Sequence, residues 1–172
     1  VHAGWRFEGL IGLGFWAMSA LFGFSGAQGQ RSSAALRWAL AWTAVVFVSV
    51  LIHELGHALV VRRWGGRPAI TLHALGGLTN FDMRMPLSRP RRVAVSLAGP
   101  LAGFLLGGIV FLATRGAHLG EGQMRLVRMV YWVNIGWGIV NLLPVVPLDG
   151  GSVLSAVLGP RRAVATSVIS AV

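Results

Sequence analysis

The 172-residue chain contains no cysteine, which removes disulfide frameworks and thiolate metal sites together. Any transition-metal site must then be built from histidine and carboxylate, and the redox state of the compartment leaves no mark on the sequence. Lysine is also missing: all fifteen basic residues are arginine. Charge of either sign is scarce, at 12% of residues, about half the roughly 25% of a soluble globular domain. The acids are scarcest, only Glu8, Glu54, Asp82, Glu121 and Asp149. What fills the gap is apolar, 55% of the chain at a mean hydropathy of +0.69, a composition suited to a bilayer. A net charge of +10 would direct a soluble protein toward nucleic acid. Here the arginines gather between apolar stretches and no basic face is interleaved with aromatics, so no nucleic-acid partner is expected. The arginines read as topology signals and as contacts for anionic lipid head groups.

Four apolar stretches are legible and a fifth begins at the end. Residues 10–24 are glycine-rich and short for a span, lack a signal-peptide cleavage pattern, and are followed by a polar connector over 25–37. Residues 38–61 form a second stretch, interrupted by His53, Glu54 and His57 and closed by Arg62-Arg63. The third, 93–114, carries Gly99, Gly103 and Gly107, a smooth face for close helix packing, with Pro100 either kinking it or sitting in its first turns. The fourth, 126–143, is stopped by Pro144 and Pro147, and a broken segment continues through Asp149-Gly150-Gly151 to Leu158. Arg161-Arg162 precede 163–172, which reads as the start of a further span, so the protein is expected to continue beyond Val172. Between 67 and 81 the pattern switches to alternation around Gly76-Gly77, predicting a short β-hairpin with the glycine pair at its turn.

The expected fold is an all-α polytopic membrane protein of about five transmembrane segments, the last truncated, with a small membrane-associated β-hairpin. A single domain covers 1–172, with its core motifs in 38–158. Arg6, the seven arginines from Arg62 to Arg92, and Arg161-Arg162 fall on one side of this topology. Arg31, Arg37, Arg115 and Arg125 fall on the other, with Arg128 near its edge. The first side is therefore read as cytoplasmic, in a cell membrane.

His53 and His57 lie one helical turn apart, so both rings can address one tetrahedral zinc ion, and Glu54 between them can reach water beside it. In such a centre the carboxylate takes a proton from water acidified by the metal and later passes it to the leaving amine. Three titratable residues within five positions of a span, each costing roughly 2.5 to 3.5 kcal/mol to insert, require a compensating partner. A buried hydrogen-bonded cluster is the plainer alternative. The third ligand should be a histidine or carboxylate at similar depth. His53 falls about 12 Å before the end of its stretch, and Asp149, the other acid in an apolar setting, is carried to the same half by the fourth stretch. Its alternative reading is a helix N-cap after Pro147.

At these residues the chain resembles the site-2 protease family of intramembrane zinc metalloproteases. The resemblance rests on His53-Glu54-Leu55-Gly56-His57, on the run from Asn141 through Pro144 and Pro147 to Asp149-Gly150-Gly151, and on Ser96-Leu97-Ala98-Gly99-Pro100-Leu101-Ala102-Gly103 between them. It implies hydrolysis of a peptide bond in or near the transmembrane segment of a membrane-protein substrate, in regulated intramembrane proteolysis. His53, His57 and Asp149 would bind one zinc per chain, and Glu54 would be the base. By the same resemblance Asn141 contacts the substrate backbone or the oxyanion, or else makes an interhelical hydrogen bond. The hairpin edge at Gly76 and Gly77 either receives an extended substrate or is a plain loop structure. Asn134 is read as structural, and His73 as a hairpin residue rather than a ligand. A membrane metal transporter or sensor using the same His and Asp residues is the rival class, and an inactive scaffold that binds transmembrane helices is a third.

Overall fold

The computed structural model describes residues 32–73, 76–82 and 86–159; the expected spans at 10–24 and 163–172, and the side chain of His73, lie outside them. Helix α1, Ser32–Arg63, is a single rod of about 48 Å. It begins inside the expected polar connector, because Ser32-Ser33-Ala34-Ala35-Leu36 contains no helix breaker. Helix α2, Arg89–Thr114, runs back along it and contains Pro100 deep in its interior, fully buried. Among the described residues, Leu36–Arg63 and Arg89–Thr114 are the helices long and apolar enough to cross a bilayer. Only 33% of the most apolar window of each is buried within the fold, unlike the core helix of a soluble domain. Leu40, Leu59, Leu101, Leu105 and Leu112 each point more than half exposed to the outside, an apolar surface suited to lipid.

The fourth expected span is a composite rod. Helix α3, Glu121–Tyr131, passes into a π-helical turn, Trp132–Gly136, and then into the short helix α4, Trp137–Asn141. The buried Asn134 sits in that turn, its Nδ2 donating to Ser49 Oγ of α1 at 2.8 Å and to Val130 O at 2.9 Å. This is the structural role its sequence position implied. Gly103 and Gly107 of α2 face Asn134 and Ile135 across the interface, so the glycine stripe is where the rod seats. Beyond Pro144 and Pro147 the chain doubles back into helix α5, Asp149–Leu158, which packs on α2. Gly150 and Gly151 lie directly against the carbonyls of Leu142, Leu143 and Val145. A side chain at either position would meet the chain's own backbone.

Strands β1, Arg67–His73, and β2, Gly76–Asp82, form the expected antiparallel hairpin against α1. The glycine pair is not its turn. Gly76 and Gly77 open β2 opposite His73 and Leu72. Register is set by the face of the hairpin that packs: Ile70, 1% exposed, is buried on Ala58 with Val50 and Leu55 alongside, and a one-residue slip would turn it to the outside. Two cation–π contacts bracket α1, Arg125 lying 4.4 Å from the ring centre of Trp38 and Arg91 5.5 Å from that of Trp64. Those tryptophans are separated along the helix axis by about 39 Å, close to the distance between the interfacial belts of a membrane.

Candidate metal centre

His53 and His57 project from one face of α1, their rings edge to face with centroids 4.8 Å apart. Their Nε2 atoms approach to 3.1 Å. Asp149, the first residue of α5, reaches both: Oδ2 lies 3.0 Å from His53 Nε2 and Oδ1 3.3 Å from His57 Nε2. Potential ligand atoms of the three residues all fall within 4.8 Å of one another. Ninety-six positions separate His53 from Asp149; the packing of α1 on α2 and of α2 on α5 closes that gap.

Hydrogen bonding settles which atoms are free to bind. His57 Nδ1 lies 2.7 Å from the carbonyl oxygen of Val95 on α2, and a carbonyl only accepts, so Nδ1 carries the proton. In the neutral ring Nε2 is then a lone pair. That lone pair faces a carboxylate oxygen and the Nε2 of a second imidazole, three potential ligand atoms gathered at one point. A proton satisfies one pair, whereas a divalent ion satisfies all three.

Space for an ion is kept by Gly99. A Cβ at that position would overlap the imidazoles of both His57 and His53, so the second helix presents bare backbone to the ring pair. The side chains of His53 and Asp149 retain 15% and 19% exposure, so the centre is not fully sealed by the protein. Two nitrogens and one oxygen from three residues match in kind and number the donor set of zinc sites that keep a fourth position for water or substrate.

Glu54 is 5% exposed, and its Oε2 accepts a hydrogen bond of 2.6 Å from Thr79 Oγ1 on β2. Asn141 ends α4, half-buried, at the start of the 142–148 loop that returns the chain to Asp149. Gly76 and Gly77 are the first two residues of β2, paired with His73 and Leu72 of β1. Val95, Gly99 and Thr79 were not legible as site residues. Gly99 carried a signal as part of a helix-packing stripe and of the motif between the two ligand-bearing runs, neither of which pointed to the histidines, and a backbone acceptor or a lone threonine in a strand carries none.

The family model of peptidase family M50 matches residues 41–119 and 113–171, spanning both motif regions. The chain is 30% identical over 125 residues to a zinc metalloprotease of Methanocaldococcus jannaschii, covering 72% of this chain and 36% of that one. It is 33% identical over 106 residues to stage IV sporulation protein FB of Bacillus subtilis, covering 61% and 36% respectively. The solved structure of a site-2 protease from Methanocaldococcus jannaschii aligns with a TM-score of 0.62 at 25% identity, covering 84% of this chain and 64% of that one. The chain thus spans about a third of the length of these two curated relatives.

Proposed function

The chain belongs to peptidase family M50, and from that premise we propose that it is an integral-membrane zinc endopeptidase. Its reaction is hydrolysis of a peptide bond in or near the transmembrane segment of a membrane-protein substrate. The substrates are membrane-tethered proteins released by regulated intramembrane proteolysis, and the rest of the surroundings is lipid. One observation carries the reading: two imidazole nitrogens and a carboxylate, remote in sequence, converge between helices whose outer faces are apolar.

His53, His57 and Asp149 would hold one zinc ion, which when bound supplies Lewis acidity, lowering the pKa of water and polarising a peptide carbonyl. Every other task falls to the chain. Glu54, next to His53 and screened from bulk solvent, accepts the proton of the attacking water and returns it to the leaving nitrogen. Val95 holds the His57 ring so that its Nε2 stays directed at the centre. The carboxamide of Asn141 is assigned to the substrate backbone or the developing oxyanion. The β2 edge, beginning at Gly76 and Gly77, offers main-chain hydrogen bonds to an unwound substrate, since cleavage needs an extended peptide. The arginines at 62–67 and 89–92 assign the site to the cytoplasmic half of a cell membrane, about 9 to 15 Å from that end of α1. The same count and the apolar stretches outside the described residues support about five spans in one domain.

The test is cleavage of single-span substrates by the chain reconstituted in vesicles, with zinc content measured in parallel. Wild type should bind zinc and cleave, while Glu54→Gln should keep its zinc and lose cleavage. Zinc-free wild type that cleaves at the normal rate overturns the reading. Metal flux across the vesicle without proteolysis would move the chain to the transporter class.

A further inference from the structure

The hydrogen bond between the hairpin and the candidate base is not accounted for by zinc binding or by the bundle. Thr79 Oγ1 lies 2.6 Å from Glu54 Oε2 and 3.2 Å from the Glu54 carbonyl oxygen. A threonine hydroxyl has one proton, and the shorter contact has the length of a charge-assisted O–H···O⁻ bond. The proton therefore goes to the carboxylate, which is fixed by one of its oxygens and left with the other for water.

Thr79 is brought there by a register with its own anchor. Across the hairpin it pairs directly with Ile70, and directly opposed residues share a face. Ile70 is buried on Ala58, one turn after Glu54 on α1. The same rung of the hairpin thus inserts an apolar plug beside Ala58 and a hydroxyl beside Glu54, two positions stacked on one face of the helix. The plug sets where the hairpin sits, and the hydroxyl transmits that position to the carboxylate.

We propose that Thr79 is a positioning residue for Glu54: the β-hairpin, through this one hydroxyl, holds the base in its working orientation. The inference rests on the reading of Glu54 as the general base. It also gives the hairpin a second task beside any contact with substrate, because displacement of β2 would release the carboxylate. No covalent step is added; the hydroxyl keeps its proton throughout.

The experiment compares wild type, Glu54→Gln, Thr79→Val and Thr79→Ser in the reconstituted full chain. Valine keeps the shape of threonine and removes the donor. Thr79→Val should lower kcat roughly 10-fold, at the low end of what loss of an orienting partner costs, with KM and zinc content unchanged. Thr79→Ser should recover most of the rate. A Thr79→Val enzyme with wild-type kcat overturns the inference, as does a Thr79→Ser enzyme as slow as the valine variant. A second measurement needs no turnover: a thermal-denaturation cycle of Thr79→Val and Glu54→Ala should show that the valine substitution lowers Tm when Glu54 is present and has little effect when it is absent. Additive shifts overturn the contact. If wild type binds zinc yet cleaves nothing, the reading of the site fails, and the cycle still decides whether the hydroxyl holds Glu54.

Discussion

The centre depends as much on a missing side chain as on the three that converge. Gly99 faces the gap between His53 and His57, and its replacement by alanine would drive a methyl group into both imidazoles. The rings cannot retreat freely, since His57 is bound to Val95 O at 2.7 Å and both belong to a helix packed on α2. Gly99→Ala should therefore weaken zinc binding roughly 10- to 100-fold, measured by competition with a chelating dye, and cleavage should fall with it. Gly108 supplies the comparison within the same helix. A Cβ there meets nothing within 4 Å, so Gly108→Ala should leave zinc affinity and cleavage at wild-type levels. Equal losses in the two variants would mean that general helix perturbation, and not collision with the histidines, is responsible.

Between elements, the polar contact that recurs is a hydrogen bond made where lipid offers no substitute. Asn134, 3% exposed, and Ser49, 5% exposed, join the π-helical turn to α1. The π turn widens the rod where Asn134 must face α1, as such turns often do at functional or packing irregularities. A double-mutant cycle of Asn134→Ala and Ser49→Ala should give a coupling of about 0.6 to 1.7 kcal/mol, the range for interhelical hydrogen bonds in membranes. Chemical or thermal denaturation in detergent can measure it. Zinc binding should survive both substitutions, because neither residue touches the three ligands. No coupling would leave the glycine stripe of α2 as the principal seat of the rod.

At the level of the whole molecule, the proposed orientation has a direct test provided by the absence of cysteine. A single cysteine introduced into these 172 residues is their unique thiol label. Ser88, exposed just before α2, belongs to the arginine-rich end, and His118, exposed between α2 and α3, to the opposite one. In intact cells a membrane-impermeant maleimide should label His118→Cys and leave Ser88→Cys unmodified until the membrane is opened. The reverse pattern would put the metal centre in the outer half. The exposed leucines of α1 and α2 and the two arginine–tryptophan pairs are consistent with a bilayer around the bundle in either orientation.

The local chemistry was written in the chain order. One-turn spacing put His53 and His57 on a common face, depth counting along apolar stretches singled out Asp149, and alternation over 67–81 announced the hairpin, because each is a period or a length that a single element imposes on its own residues. Properties that arise only between elements were not legible. The glycine pair lies within β2 and not at the turn, because the register that pairs Ile70 with Thr79 sets Gly76 opposite His73. Pro100, read as a kink or a start, lies within an unbroken helix. The roles of Gly99, Val95 and Thr79 exist only once α2 and the hairpin lie against α1, for a cavity, a backbone acceptor and a hydroxyl acquire a function from what faces them. Sequence determined which residues could carry the metal chemistry; tertiary packing decided what orients them and where the space between them is kept.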